Sequence, residues 1–249
     1  MRLGATLAHL VDAPPFAVVP WARRLTAAGF DSLWAPEIVG RGPLVPDPFV
    51  LLAAATAVTG DVELGTATVQ VPLHHPAELA HRALSLMAAC GDRLTLGVSP
   101  GSSRTDFTAL DRDYDARFAT FREQVARLRA LLARGGDERA ELAPAAVAAG
   151  GPRLLLGSWG ANVEWAAREF DGWLASGRRR TPEQVIAAHE RYRAAGGRRA
   201  IVCTIPVGSG DDLVRTGEAL RRYADAGFDD AVVLFGPAGP DPERVRALI

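Results

Sequence analysis

Leu64–Gly101 reads LGTATVQVPLHHPAELAHRALSLMAACGDRLTLGVSPG, and its reading decides the fold. A β-rich run, Val62–Val71, passes through Pro72 and Pro76 into an alanine-rich helix. A second strand, Arg93–Ser99, follows and breaks at Pro100-Gly101-Ser102-Ser103. This is a β-α-β unit, whose crossover is right-handed and packs its helix on the sheet. Both strands end in small residues, which let a flat ligand approach the backbone.

Outward from this unit the alternation continues. Leu3–His9 and Asp31–Ala35 read as strands, Phe16–Ala28 and Asp47–Thr59 as helices, with Asp47 as a cap and Pro48 in the first turn. Thr105–Arg134 reads as one long helical region with Phe107, Leu110, Phe118, Phe121, Val125 and Leu128 on its apolar face. Asp137–Gly151 is rich in Ala, Gly and Pro and reads as a mobile loop. Strands are then expected at Arg153–Leu156, Gly172–Ser176, Ala200–Val207 and Asp230–Phe235, separated by helices. Eight strands in strict alternation with helices predict a closed (β/α)8 TIM barrel, and 249 residues suit a single domain over 1–249. The segments Leu25–Asp31 and Tyr223–Asp229 repeat one pattern: helix end, glycine turn, strand start.

Composition removes several chemistries. Every one of the 28 cationic residues is arginine, so neither a Schiff-base lysine nor a P-loop lysine exists. A net charge of −1 gives no global field for a phosphate backbone, and nucleic acid is not an expected partner. The two cysteines, Cys90 and Cys203, are far apart in apolar runs and read as buried thiols, with no zinc spacing. No apolar stretch approaches the ~20 residues of a membrane span, and no signal peptide is visible. The expectation is a cytoplasmic protein without a membrane partner.

Barrel enzymes work at the C-terminal ends of their strands. Those ends here supply His9, Glu37, Thr68 with Gln70, Ser99 with Ser102, Ser158 with Trp159, Ser176 with Arg178, and Pro206. Glu37 is the only acid among them, the five histidines are scattered, and no metal site is expected. His74-His75 reads as a surface or capping pair. A mouth so short of acid/base groups suits a cofactor that carries the chemistry. The turn Gly157-Ser158-Trp159-Gly160-Ala161-Asn162 joins a strand to a helix start, where free N–H groups favour a phosphate, and Arg178-Arg179-Arg180 could add charge.

Several segments together resemble the bacterial luciferase-like superfamily of flavin-dependent monooxygenases and deazaflavin-dependent oxidoreductases. They are Asp31–Glu37, Pro46–Phe49, Leu64–Thr66, His75–Ala80, Arg93–Gly101, the Asp106-Phe107 to Phe118 region, Glu164–Ala167 and Asp171–Trp173. The resemblance implies a TIM barrel that binds reduced FMN or coenzyme F-420 at its mouth and acts on a small organic substrate. It implies a distorted, often cis, peptide near Ala67-Thr68, with Ser99, Gly101 and Ser102 beside the ring. Ser158, Trp159, Gly160, Asn162 and Arg178 would take the phosphate, and Glu37 and His9 would handle protons. Relatives commonly form homodimers through the second and third helices. The chain departs from relatives at Ile38, Pro100 and Ser102, where many carry a histidine, an arginine or a glutamate, and as a compact barrel with a shortened insertion between strands four and five. Two other readings stay open: a family member that binds flavin without turnover, and another phosphate-binding TIM-barrel enzyme.

Overall fold

The computed structural model describes residues 1–7, 17–236 and 239–249. Eight parallel strands close on themselves: β1 (Arg2–Thr6), β2 (Ser32–Ala35), β3 (Glu63–Thr66), β4 (Leu94–Ser99), β5 (Arg153–Gly157), β6 (Gly172–Ser176), β7 (Arg199–Val207) and β8 (Asp230–Phe235). Each pairs with its sequence neighbour, β8 returns to β1, and a two-residue strand Val69–Gln70 continues β3 alongside β4. The helices are α1 (Val18–Ala27), α2 (Pro48–Thr56), α3 (Pro76–Cys90), α4 (Arg104–Thr108), α5 (Arg117–Arg134), α6 (Ala145–Ala148), α7 (Asn162–Glu169), α8 (Pro182–Ala194), α9 (Asp211–Asp225) and α10 (Pro242–Arg246). The TIM barrel expected from the alternation is the fold observed.

Local chemistry sets the element ends. Asp47 caps α2 by accepting from the Phe49 and Val50 N–H groups at 2.8 and 3.2 Å, and Thr181 and Gln184 form a capping box on α8. The repeated glycine pattern is a repeated turn. Gly29 and Gly227 have φ of +85° and +82°, and Phe30 and Phe228 donate back to Leu25 and Tyr223 across six residues. That double closure of a helix end requires the left-handed conformation glycine adopts freely. The aspartate that follows each turn then works at the strand entrance. Asp31 accepts from the Leu3 N–H at 2.8 Å and Asp229 from Ala200 at 2.7 Å; Asp171 accepts from Leu154 at 2.8 Å. Each carboxylate bridges the starts of two strands.

The N-terminal end of the barrel is closed by charge. Glu63 accepts from Thr95 Oγ1 at 2.5 Å, from Arg199 at 2.8 and 2.9 Å and from Arg2 at 2.6 Å, while Arg199 also donates to Asp230 at 2.9 Å. Above this plug an apolar core of Trp34, Ala67, Leu155, Leu174, Ile201, Cys203 and Val232 fills the interior. Trp34 lies flat against Gly65, where any side chain would strike its ring, and donates to Ser32 Oγ at 2.8 Å. The other face of the sheet packs against the helices through a continuous apolar layer.

Three expectations need correction. The 105–134 region is two helices, because Asp111 adopts a φ of +51° and Asp113 takes the Asp115 and Ala116 N–H groups, which stops α4 and starts α5. Leu110 and Phe118, placed on the apolar face, are 39% and 40% exposed. The 137–151 stretch is ordered structure: Gly136–Asp137 pairs with Ala140–Glu141, Asp137 binds Arg127 at 2.7 Å, and α6 buries Ala148.

Candidate active site at the barrel mouth

A cavity of about 430 Å³ opens at the C-terminal ends of β2 to β7, within the range of small-molecule sites. One wall is neutral and small. The Ala67–Thr68 peptide is cis, and it separates β3 from the strand Val69–Gln70. Thr68 Oγ1 donates to Ser99 Oγ at 2.8 Å, and Ser99 Oγ accepts from the Gly101 N–H at 3.3 Å. Gly157, at the end of β5, must be bare: a Cβ there would lie 2.6 Å from Thr68 Cγ2. The run Gly97–Gly101 has the Gly-X-Ser-X-Gly spacing of a hydrolase elbow, which corrects the expectation that no such elbow is present. Ser99 ends a strand here, accepts from Thr68 and Gly101, and no histidine stands among the described lining residues to serve as its base, so it is a wall residue.

A second wall is a buried polar network that reaches away from the cavity. Glu37 follows β2 and is 7% exposed. Its Oε2 accepts from the Gln70 N–H at 2.7 Å and its Oε1 lies 2.6 Å from His74 Nε2. The Gln70 amide donates to the Glu37 carbonyl at 3.3 Å and to Asp106 Oδ2 at 2.8 Å. Asp106, fully buried on α4, accepts three bonds from Arg41 at 2.5, 3.0 and 3.2 Å and one from the Gly40 N–H at 3.2 Å. Burial alone would raise the Asp106 carboxyl. The Arg41, Gln70 and Gly40 hydrogen bonds outweigh it and hold that carboxyl below its ordinary value. The histidine pair splits in role: His75 Nδ1 caps α3 by accepting from Ala77, as a capping residue should, whereas His74 is 13% exposed and pairs with Glu37.

The rim is cationic. Arg117, at the first turn of α5, stacks over the Tyr114 ring at 3.9 Å and the Phe118 ring at 4.4 Å, and its buried Nε has no hydrogen-bond partner among the described residues. Arg180 lies over Trp159 at 4.7 Å, and Arg178 and Arg179 line the cavity exposed. Against these stands Glu37, the one carboxylate among the described lining residues. At the end of β6 and within β7, Ser176 and Thr204 share a 3.3 Å hydrogen bond, Thr204 adopts a φ of +56° at a bulge in β7, and burial pushes the Cys203 thiol up to about 12.

The residues singled out in the sequence distribute as follows. Glu37, Ala67, Thr68, Ser99, Gly101, Ser102, Ser158, Trp159, Asn162 and Arg178 all line this one cavity. Gly160 does not line it and forms the turn before α7 at a φ of +65°. The Ser158 hydroxyl, expected to face a ligand, donates to the Asn162 carbonyl at 3.1 Å. His9 lies outside the described residues. Sequence reasoning missed the pairing of His74 with Glu37 and of Arg41 with Asp106; no spacing links such partners, because the network joins β2, the turn after β3 and α4. Among the described residues no group of three or more His, Cys, Asp or Glu could hold a metal ion, and no helix is long and apolar enough to cross a membrane.

Known proteins resemble the chain in sequence and in fold. The chain is 37% identical over 93 residues to 4-hydroxyprotoasukamycin monooxygenase of Streptomyces nodosus subsp. asukaensis, a match covering 37% of this chain and 25% of that protein. Its fold is similar to that of an F420-dependent secondary alcohol dehydrogenase solved with an F420-acetone adduct (TM-score 0.78, 14% identity, 100% of this chain and 98% of that one). It is also similar to the oxygenating constituent of 3,6-diketocamphane monooxygenase of Pseudomonas putida, a type II Baeyer-Villiger monooxygenase solved with FMN (TM-score 0.70, 17% identity, 100% and 83%). The family model for luciferase-like monooxygenases matches residues 4–231, nearly the whole barrel, and the chain belongs to that family.

Proposed function

We propose that this protein is an oxidoreductase that binds reduced FMN or coenzyme F-420 in the mouth cavity and uses it on a small organic substrate. The observation that carries the reading is the division of the cavity into a flat neutral wall and an arginine rim with a single carboxyl. A planar ring suits the wall of Ala67, Thr68, Ser99 and Gly101, because Gly157 keeps Thr68 tucked back against Ser99. A phosphate suits the rim. The unpartnered Arg117 Nε is a buried donor awaiting an acceptor, and Arg178 and the α7 turn lie in the same cavity. The bound cofactor supplies the reducing electrons, passed as hydride in the deazaflavin case and to O2 in the flavin case.

The chain's own residues do the rest. Arg117 and Arg178 hold the anionic end, and Ser99 and Thr68 set the plane of the ring. Glu37 holds or releases a proton at its carboxyl, which the Gln70 N–H and His74 fix in place. Anaerobic titration with reduced FMN and with F-420, followed by absorbance, tests the reading. Saturable binding of one of the two is expected, weakened about tenfold or more by Arg117→Met. Binding of neither overturns it, and tight inorganic phosphate binding without either cofactor would point to another class of barrel enzyme.

A further inference from the structure

Glu37 lines the cavity, yet the residue that contacts its Oε1 does not. His74 lies outside the cavity lining, at the turn between Val71–Leu73 and α3, and its side chain is 13% exposed. A bare carboxylate oxygen and a bare imidazole nitrogen would repel at the observed 2.6 Å, so a proton lies between them. Glu37 Oε2 is already committed to the Gln70 N–H, which leaves the Oε1 side as the one through which its charge is balanced. No hydrogen-bond partner among the described residues engages His74 Nδ1. The other charged groups nearby are committed elsewhere. Asp106 is paired with Arg41 beyond Gln70, and on α5 Arg127 binds Asp137 and approaches His75 Nε2 at 3.5 Å.

We propose that His74 is a positioning residue that acts on the cavity from outside through Glu37. It fixes the carboxyl's rotamer: the shared proton grips Oε1 while the Gln70 N–H grips Oε2. This rests on the reading of Glu37 as the proton-handling group of a flavin or deazaflavin site.

Two measurements on the full chain test it. The first is ring 15N NMR of His74, which needs no cofactor. The expected spectrum shows Nε2 carrying the proton toward Glu37, and Glu37→Leu converts it to a mixture of tautomers; should that variant not fold, Glu37→Gln serves. Ring signals unmoved by both substitutions overturn the proposal. The second is the rate of oxidation of whichever bound reduced cofactor the protein takes, with O2 as the acceptor for FMN and a soluble quinone as the acceptor for F-420. His74→Leu, which cannot engage Oε1, should lower that rate about tenfold, and His74→Arg, which keeps a donor there, should recover most of it, while cofactor affinity in both stays within about threefold. Equal rates in wild type and His74→Leu, or no recovery in His74→Arg, overturn it. A protein that binds neither cofactor but shows the coupled ring signals refutes the functional reading and leaves the His74–Glu37 coupling standing.

Discussion

Substituting Glu63 with glutamine tests whether the charged plug closes the barrel. Burial alone would raise the Glu63 carboxyl, but the hydrogen bonds and charge of Arg199, with bonds from Thr95 and Arg2, hold it at about 2 against an ordinary 4.5. A folded-state value below the unfolded one stabilises the native state at pH values above both, and that stabilisation fades as pH falls through the interval between them. The gap corresponds to about 3 kcal/mol at pH 7 and about 1.5 kcal/mol at pH 3. Glutamine keeps the shape and the acceptor for Thr95 but leaves Arg199, only 17% exposed, with Asp230 as its remaining acid. Urea unfolding of both proteins from neutral to acid pH gives the two stabilities. Glu63→Gln should be less stable by about 3 kcal/mol at neutral pH, and the difference should halve by about pH 3. A difference that does not change with pH would refute the reasoning, since a packing defect does not titrate.

Gly157→Ala should push Thr68 off its hydrogen bond to Ser99, costing about 2 kcal/mol and weakening cofactor binding about 30-fold in a fluorescence titration. Gly60→Ala, where a Cβ meets nothing within 4 Å, should leave binding unchanged. Arg117→Gln should reduce both cofactor affinity and its sensitivity to ionic strength, because the charge that salt screens has been removed. Cys203, with a thiol pushed up to about 12 by burial, should resist iodoacetamide in the native protein at pH 8 and react once urea unfolds it; mass spectrometry of the alkylated peptides reads this directly.

The fold was legible because a barrel repeats a local pattern. The glycine turns at Gly29 and Gly227, the Asp47 cap and the Thr181 box are each determined within a few residues, and their chemistry appears in the sequence itself. The neutral wall was legible for the same reason: Thr68, Ser99 and Gly157 follow strand ends that the alternation locates. The Glu37–His74 and Asp106–Arg41 contacts were not. They join side chains 37 and 65 positions apart across different elements, and only closure of the barrel brings them together. The break between α4 and α5 was missed because apolar spacing continues through it, while aspartate side chains compete locally for the backbone.

The aspartates at strand entrances have a consequence for how such a chain varies. Asp31, Asp171 and Asp229 tie neighbouring strands together at the end of the barrel opposite the cavity, and the Glu63 plug lies at that same end. Closure is thus decided far from the loops that touch a ligand. A chain with an altered β4–β5 connection should therefore keep its ring of strands shut and unfold in urea at the midpoint of the parent.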